Sequence, residues 1–593
     1  MKVYKINPFT VTSPEKLDAE RAKQLFVEVF TDFPQVENAG NAMIVGARGA
    51  GKSMMFRCLL PDVMMKRCAC KFNKLPFVAF HIPIKNSQLK LTDLCRIDNH
   101  YASAMINEHF LTLAILIEVC SQIEQYKKLL SSSSDEWLCF YKDVFTCNAQ
   151  IAGFKAIPTV ISSSVNCVEL MKNFFKREYG VFHRYVQSIT PNLDKAIPRF
   201  DMPLLSYRSF LHPFLDGLRK LSGFPRNKYI HLYIDDADNL SITQTQVLNS
   251  WLGMRLQPSV SIKVSTQLGK YKSFLSVDGT LVESPHDYHK VNISDKYTTS
   301  KKIYYRRVRA IVEKRLELSK IKYSAVDYFP FDIDQELEIK RIKRELLSKW
   351  KVEGRGNRPR DDASRYARPN YIRNLGGASR SRYTYSYSGF DQLVHLSSGV
   401  IRVFLEAASL MYDEAKKAKS ADVHRKPIPC SIQNKVIRNM ADSYMFSRFE
   451  ELSIDDKKPH SSSSLTRVTM LRNLLFSMGK TFHNILISDR NERRVFSIAL
   501  SNEPDGEVKS VLDLGVETGY LQVSTIGRKD GAGRTLLYIL NRILSPVFTL
   551  DPTGFTGYLF VTNNSIKDAM HSQRLLRELS ETTQDIEQLT LFD

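Results

Sequence analysis

Residues Gly46-Ala-Arg-Gly49-Ala-Gly51-Lys52-Ser53 satisfy the pattern G-x-x-x-x-G-K-S/T. Glycines at 46, 49 and 51 let the backbone take positive φ angles, so successive N–H groups can point inward at a phosphate. A helix starting at the end of such a loop adds its dipole to the same spot. Lys52 can reach β- and γ-phosphates, and the Ser53 hydroxyl can ligand Mg²⁺. This is the chemistry of a bound nucleoside triphosphate. It calls for a carboxylate near the metal, and the apolar run Tyr229 to Ile234 ends in Asp235-Asp236. Asp235 is placed to hold Mg²⁺ through water, and Asp236 to orient or deprotonate an attacking water.

Positioning these groups takes strands and helices in a set order. Asn41 to Val45 is a short apolar run that ends in glycine, and Ser53 to Leu60 reads as a helix that stops before Pro61. Pro76 to Pro83, Tyr229 to Asp235 and Ser261 to Thr266 are nearly continuous apolar runs, the mark of buried strands. A helical pattern over 242–255 separates the last two. The alternation predicts an α/β fold with a parallel sheet between helices. The gap from Lys52 to Asp235 is long, and its helix-rich middle predicts a helical insertion over about 85–225.

The expected domains are a core over 1–300, a helical lid over 301–420, a C-terminal α+β domain over 421–580 and a tail over 581–593. Within the lid, 352–388 reads as a polar loop carrying Arg365, Arg368 and Arg373 among interleaved tyrosines that include Tyr385 and Tyr387. That composition suits phosphate contacts with stacking on bases, and equally suits a solvated loop. A Ser461–Ser464 run marks a linker.

Lys and Arg number 84 against 63 Asp and Glu, a net charge of +21, which points to a polyanionic partner, nucleic acid first. The hydrophobic share of 43% rules out wholesale disorder. The start MKVYKINPFT carries no apolar leader, and the run Phe110 to Ile123 reads as too short to span a bilayer. Nine cysteines without paired C-x-x-C spacing read as reduced thiols, so the expectation is a cytoplasmic protein with no membrane partner. Scattered histidines such as His231 and His395 read as core or surface residues rather than ligands.

With these motifs the chain resembles the AAA+ ATPases, and within them the branch of origin-recognition and cell-division-control replication initiators. The likeness is carried by residues 7–62, 228–268 and 390–410. It implies ATP as the nucleotide, DNA as a partner and a homo-oligomer as the working form. It also implies a sensor 1 at Thr266, with Ser265 or Gln267 as neighbours, and a sensor 2 at Arg402 in Gly399-Val-Ile-Arg402. An arginine finger falls on Arg255, completing a neighbouring subunit's site. The pair Asp235-Asp236 departs from the usual Asp-Glu, and the shorter second acid implies slow hydrolysis or long retention of ATP. Replication, repair, mobile-element control and antiphage defence are the roles such a chain could serve. A similar Asp-Asp occurs in STAND ATPases, which keeps open a defence sensor that releases an effector protein on recognising a foreign ligand.

Two features lie past the lid. Residues 508–561 read as a helix and then a hairpin whose tip holds Arg528 and Lys529, which suits a winged-helix domain on DNA or a small α+β interaction domain. The terminal Gln588-Leu589-Thr590-Leu591-Phe592 is similar to the bacterial sliding-clamp-binding peptide, in which Leu and Phe anchors fill an apolar groove and Gln is held by hydrogen bonds. The alternative is a fraying helix end whose Leu591 and Phe592 fold back on the core.

Overall fold

The computed structural model describes residues 7–28, 33–84, 100–127, 129–130, 132–160, 166–189, 200–254, 259–293, 301–353, 359–376, 384–418, 426–455, 465–488, 494–527, 534–553 and 557–578. Two compact units result, one of residues 12–294 and one of residues 1–11 with 295–593.

In the unit of residues 12–294, five strands among the described residues form a wholly parallel sheet: β1 (Ala42–Val45), β2 (Phe77–Pro83), β3 (Tyr229–Asp235), β4 (Val260–Thr266) and β5 (His289–Asn292). Their order is β2-β3-β4-β1-β5. β1 to β4 are buried almost throughout, as expected of a sheet covered on both faces. Four strands fall where the apolar runs predict them. The fifth, His-Lys-Val-Asn, is short, polar and largely exposed on the sheet edge, so no apolar run marks it. Helix α1 (Lys52–Cys58) follows β1, with Phe56 stacked on Tyr233 of β3 at 4.5 Å.

Between β2 and β3 lie α2 (His100–Tyr126), α3 (Cys167–Ile189) and shorter helices. The apolar run placed at Phe110 to Ile123 is longer than the sequence suggests. Ala102–Tyr126 is long and apolar enough to cross a membrane by length and composition, and it is largely buried against α3 and β2. A core of edge-to-face rings, Phe145 on Phe174 and Phe175 on Phe210, fills this region. Helix α4 (Ile242–Gly253) joins β3 to β4, opened by a capping box in which Ser241 and Gln244 satisfy each other's backbone N–H.

In the unit of residues 1–11 with 295–593, Phe9 packs on Tyr328 and Phe329, and Asn7 donates to Ser409 O at 3.0 Å. Helices α5 (Lys301–Leu318), α6 (Ile333–Glu353), α7 (Pro359–Gly376), α8 (Ile401–Lys417) and α9 (Cys430–Met445) come first. The expected polar loop over 352–388 is instead helical for half its length. α7 packs on α6 through Ile339, Ile342 and Ala367. Its small apolar stripe is outnumbered by arginines and acids, which hid the helical period from the sequence. Tyr385 and Tyr387, expected to stack on bases, are core residues, 1% and 0% exposed, and the Tyr387 hydroxyl donates to Ser545 O and Leu550 O.

Helix α10 (Arg467–Ile487) leads to β6 (Val495–Leu500), α11 (Gly506–Thr518), β7 (Leu521–Gly527), β8 (Arg534–Leu540), β9 (Gly557–Val561) and α12 (Asn563–Ser572). The sheet order is β7-β8-β6-β9. β7 and β8 form the antiparallel hairpin expected from sequence, and β9 adds a strand parallel to β6. The hairpin tip with Arg528 and Lys529, the Ser461–Ser464 run and the terminal peptide Gln588 to Phe592 lie outside the described residues.

Candidate nucleotide-binding site

The carboxyl ends of β1, β4 and β3 are adjacent in the sheet, which brings their three loops to one crevice. The loop after β1 turns tightly, with Ala50 N donating to Ala47 O at 3.1 Å, and φ is +84° at Gly49 and +109° at Gly51. Gly51 caps α1, and a side chain there would strain the turn. The Lys52 side chain is 6% exposed and its ammonium donates to Gly46 O at 2.8 Å and Ala47 O at 3.2 Å. Gly46 N in turn donates to Thr266 O at 3.3 Å, tying the loop to the end of β4.

Asp235 ends β3 and is 2% exposed. Its Oδ1 accepts from the Ser265 hydroxyl and, at 3.1 Å, from Asp236 N, while Oδ2 is 3.1 Å from His81 Nε2. The Ser53 hydroxyl lies near enough to this carboxylate to favour its charged form. Burial alone would raise the Asp235 pKa, but His81, Ser265 and Ser53 together hold it below its ordinary value. An ionised carboxylate beside a serine hydroxyl at the mouth of a glycine loop is a hard oxygen donor set that fits Mg²⁺. Asp236 follows with φ +58°, its N–H also donating to Ser265 Oγ at 3.0 Å, so the second acid leaves the strand in a left-handed turn. Asp238 then accepts from both the backbone and the side chain of Gln267, each at 3.1 Å.

Gly46, Gly49, Gly51, Lys52, Ser53, Asp235, Asp236 and Thr266 therefore meet in one crevice. Thr266 is buried at the end of β4 with its hydroxyl 3.4 Å from Gln267 O, whereas its neighbour Ser265 donates to the Asp235 carboxylate and accepts from the Asp236 backbone N–H. Arg255 lies outside the described residues. Arg402 stands exposed on the first turn of α8, after Gly399 with φ +81°. His81 and Gln122 were missed by sequence reasoning, because a histidine in the apolar run Pro76 to Pro83 looks like any core residue. His231 is such a core residue, fully buried and stacked on Phe77 at 4.4 Å, its pKa pushed far down by burial.

Of the arginines expected to meet DNA, Arg365 and Arg373 are exposed on α7. Arg368 is not available in that way. Its guanidinium is paired with Glu336 at 2.7 Å and bonded to Tyr385 OH at 2.9 Å, and its charge holds α7 to α6. A charge committed to a half-buried carboxylate and a buried tyrosine hydroxyl is costly to withdraw, so the fold and not a phosphate accounts for Arg368.

A parallel sheet in the order β2-β3-β4-β1-β5, with the glycine loop after β1, acids after β3 and a polar end to β4, defines a P-loop ATPase of the AAA+ class. The chain matches the ORC-CDC6-like family over residues 7–560, and it belongs to that family. No curated protein matches it. Among solved structures it is similar to Cdc6p from Pyrobaculum aerophilum, at 12% identity over 96% of this chain and 98% of that one, with a TM-score of 0.29. Two proteins of Aeropyrum pernix are also similar. ORC1 in complex with DNA has 11% identity, coverage of 92% and 94%, and a TM-score of 0.25. ORC2, solved as ADPNP–ADP complexes, has 9% identity, coverage of 96% and 98%, and a TM-score of 0.31. None of the three superposes closely enough to add to the family match.

Proposed function

We propose that this chain binds ATP with Mg²⁺ in the crevice, hydrolyses it slowly, and uses the bound nucleotide to drive oligomerisation or partner recruitment on DNA. The observation that carries this reading is the convergence of Lys52, Ser53 and an ionised, buried Asp235 at the ends of β1 and β3. Mg²⁺, when bound, would neutralise part of the triphosphate's negative charge. Ser53 and Asp235 would hold it, and Lys52 would hold the same phosphates. Asp236 would orient the attacking water, and its short side chain favours slow turnover. Thr266 would read the γ-phosphate, with Arg402 as a second sensor in cis and Arg255 acting on a neighbouring subunit. A finger supplied in trans serves no monomer, so this reading requires an oligomer.

The net charge of +21 and the family support DNA as the partner. Arg365 and Arg373 on α7, and Arg528 and Lys529 between β7 and β8 in sequence, are the contacts we assign. The double substitution Arg365→Ala with Arg373→Ala should lower the slope of log K against log salt by about two. An unchanged slope removes α7 from the interface. Gln588, Leu589, Leu591 and Phe592 would recruit a sliding clamp, and a pull-down in which the intact chain captures no clamp ends that part of the reading. Mobile-element control or antiphage defence is the setting we favour for such a switch.

The adjacent acids Asp235 and Asp236 and the long helical region between β2 and β3 favour one second reading, a sensor that releases an effector on meeting a foreign ligand. ATP turnover by the purified chain, with and without duplex DNA, separates the two. Turnover that rises with DNA supports the DNA switch. Turnover indifferent to DNA, with oligomerisation set off by a ligand instead, supports the sensor.

A further inference from the structure

We infer that His81 is a positioning residue for the metal-holding carboxylate of Asp235, and that Gln122 of α2 holds His81 in place. This rests on the reading above that Mg²⁺–ATP occupies the crevice.

Asp235 has two oxygens, and the fold restrains each of them. Oδ1 takes the Ser265 hydroxyl and the Asp236 N–H. Oδ2 lies 3.1 Å from His81 Nε2. A carboxylate kept ionised can only accept, so Nε2 carries the proton and donates. With both oxygens held, the carboxylate plane cannot turn without breaking a bond, and its remaining lone pairs keep a fixed direction. Partners of this kind behind a metal-holding carboxylate orient it and tune its affinity.

His81 is itself held in an unusual way. Among the described residues β2 is an edge strand, so on its outer side the N–H and C=O of His81 face no described strand. The Gln122 carboxamide meets both. His81 N donates to Gln122 Oε1 at 3.0 Å, and Gln122 Nε2 donates to His81 O at 2.7 Å. Gln122 is only 9% exposed, and a buried amide paired on both arms is a rigid clamp. The long helix between β2 and β3 thus reaches the metal acid through two hydrogen-bonded steps, from Gln122 to His81 to Asp235.

The contrast with His231 separates this from ordinary core packing. His231 is on the neighbouring strand, fully buried, and its Nε2 has no hydrogen-bond partner among the described residues. The His81 side chain is 13% exposed and its ring nitrogen is aimed at the acid.

The test uses the full chain and a fluorescent ATP analogue. The Mg²⁺ concentration giving half-maximal analogue binding is measured for wild type, His81→Leu, His81→Gln and Gln122→Met. Bound Mn²⁺ is followed by electron paramagnetic resonance, and analogue affinity is also taken in EDTA. His81→Leu should raise the half-saturating Mg²⁺ about 10–100-fold and alter the Mn²⁺ spectrum, with affinity in EDTA unchanged. His81→Gln, which can place a side-chain N–H near the same point, should restore most of the loss, and Gln122→Met should fall between. The inference is overturned if His81→Leu binds metal like wild type. It is equally overturned if His81→Gln is as impaired as His81→Leu, or if metal-free affinity falls in step with metal affinity, since either marks a structural role alone. Wild type that binds nucleotide without regard to Mg²⁺ would instead overturn the Mg²⁺–ATP reading itself.

Discussion

Lys52→Ala is expected to weaken ATP binding by about 10–150-fold and to remove turnover above background. The ammonium is 6% exposed and already ordered by Gly46 O and Ala47 O, so little side-chain entropy remains to be lost when a phosphate arrives. A hydrogen bond to a charged group contributes roughly 1.5–3 kcal/mol, and removing it accounts for the range given. Alanine also takes away the donor that holds two loop carbonyls, which loosens the turn between Gly46 and Gly51. Titration with a fluorescent ATP analogue checks the result. A dissociation constant within about twofold of wild type would mean the crevice does not bind phosphate through this lysine.

The second large effect falls in the unit of residues 1–11 with 295–593 and concerns stability. Asp551 is fully buried, accepts from Thr553 N at 2.9 Å and Thr553 Oγ1 at 2.6 Å, and pairs with Arg494 Nε at 3.3 Å. Arg494 in turn donates to Arg365 O at 2.9 Å on α7. Removing one partner of a buried ion pair leaves the other uncompensated, at about 3–5 kcal/mol, so Asp551→Ala should lower the melting temperature by roughly 5–10 °C. The pH dependence has a definite sign. Burial pushes the Asp551 pKa up, but Arg494 and Arg368 outweigh it and bring it below the ordinary value of 3.8. A depressed folded-state pKa gives stability that is complete above the unfolded value and lost as pH falls through the folded one. Wild type should therefore lose this share below about pH 4, while Asp551→Ala should lack that part of the acid limb. Calorimetry between pH 3 and 7 reads both. A melting temperature unchanged at pH 7 would show that the pair adds nothing net.

What could be read in the chain before folding depended on how local the signal is. The glycine loop is a contiguous run whose spacing is its chemistry, and β1 to β4 are apolar runs long enough to mark buried strands. Asp235 was legible because it ends such a run. The helix α7 was not, since a stripe of Ala363, Ala367 and Ile372 among arginines and aspartates carries little hydrophobic contrast. β5 escaped for the opposite reason, being a short edge strand that buries little.

The sequence by itself determined the phosphate loop, the acid pair, the parallel sheet that carries them and the basic balance of the chain. Each follows from residues near one another, or from a sum over all of them. Only the tertiary structure decided which side chains surround the acid. His81 and Asp235 are 154 positions apart, and they meet because β2 and β3 pair in parallel with His81 opposite Tyr233 and Pro83 opposite Asp235. The same holds for Gln122, whose amide finds β2 because an edge strand leaves backbone groups unpaired, and for Arg368, withdrawn from the DNA-facing set by a glutamate 32 residues away. Register and burial are properties of the packed sheet and helices, and no local pattern of residue types encodes them.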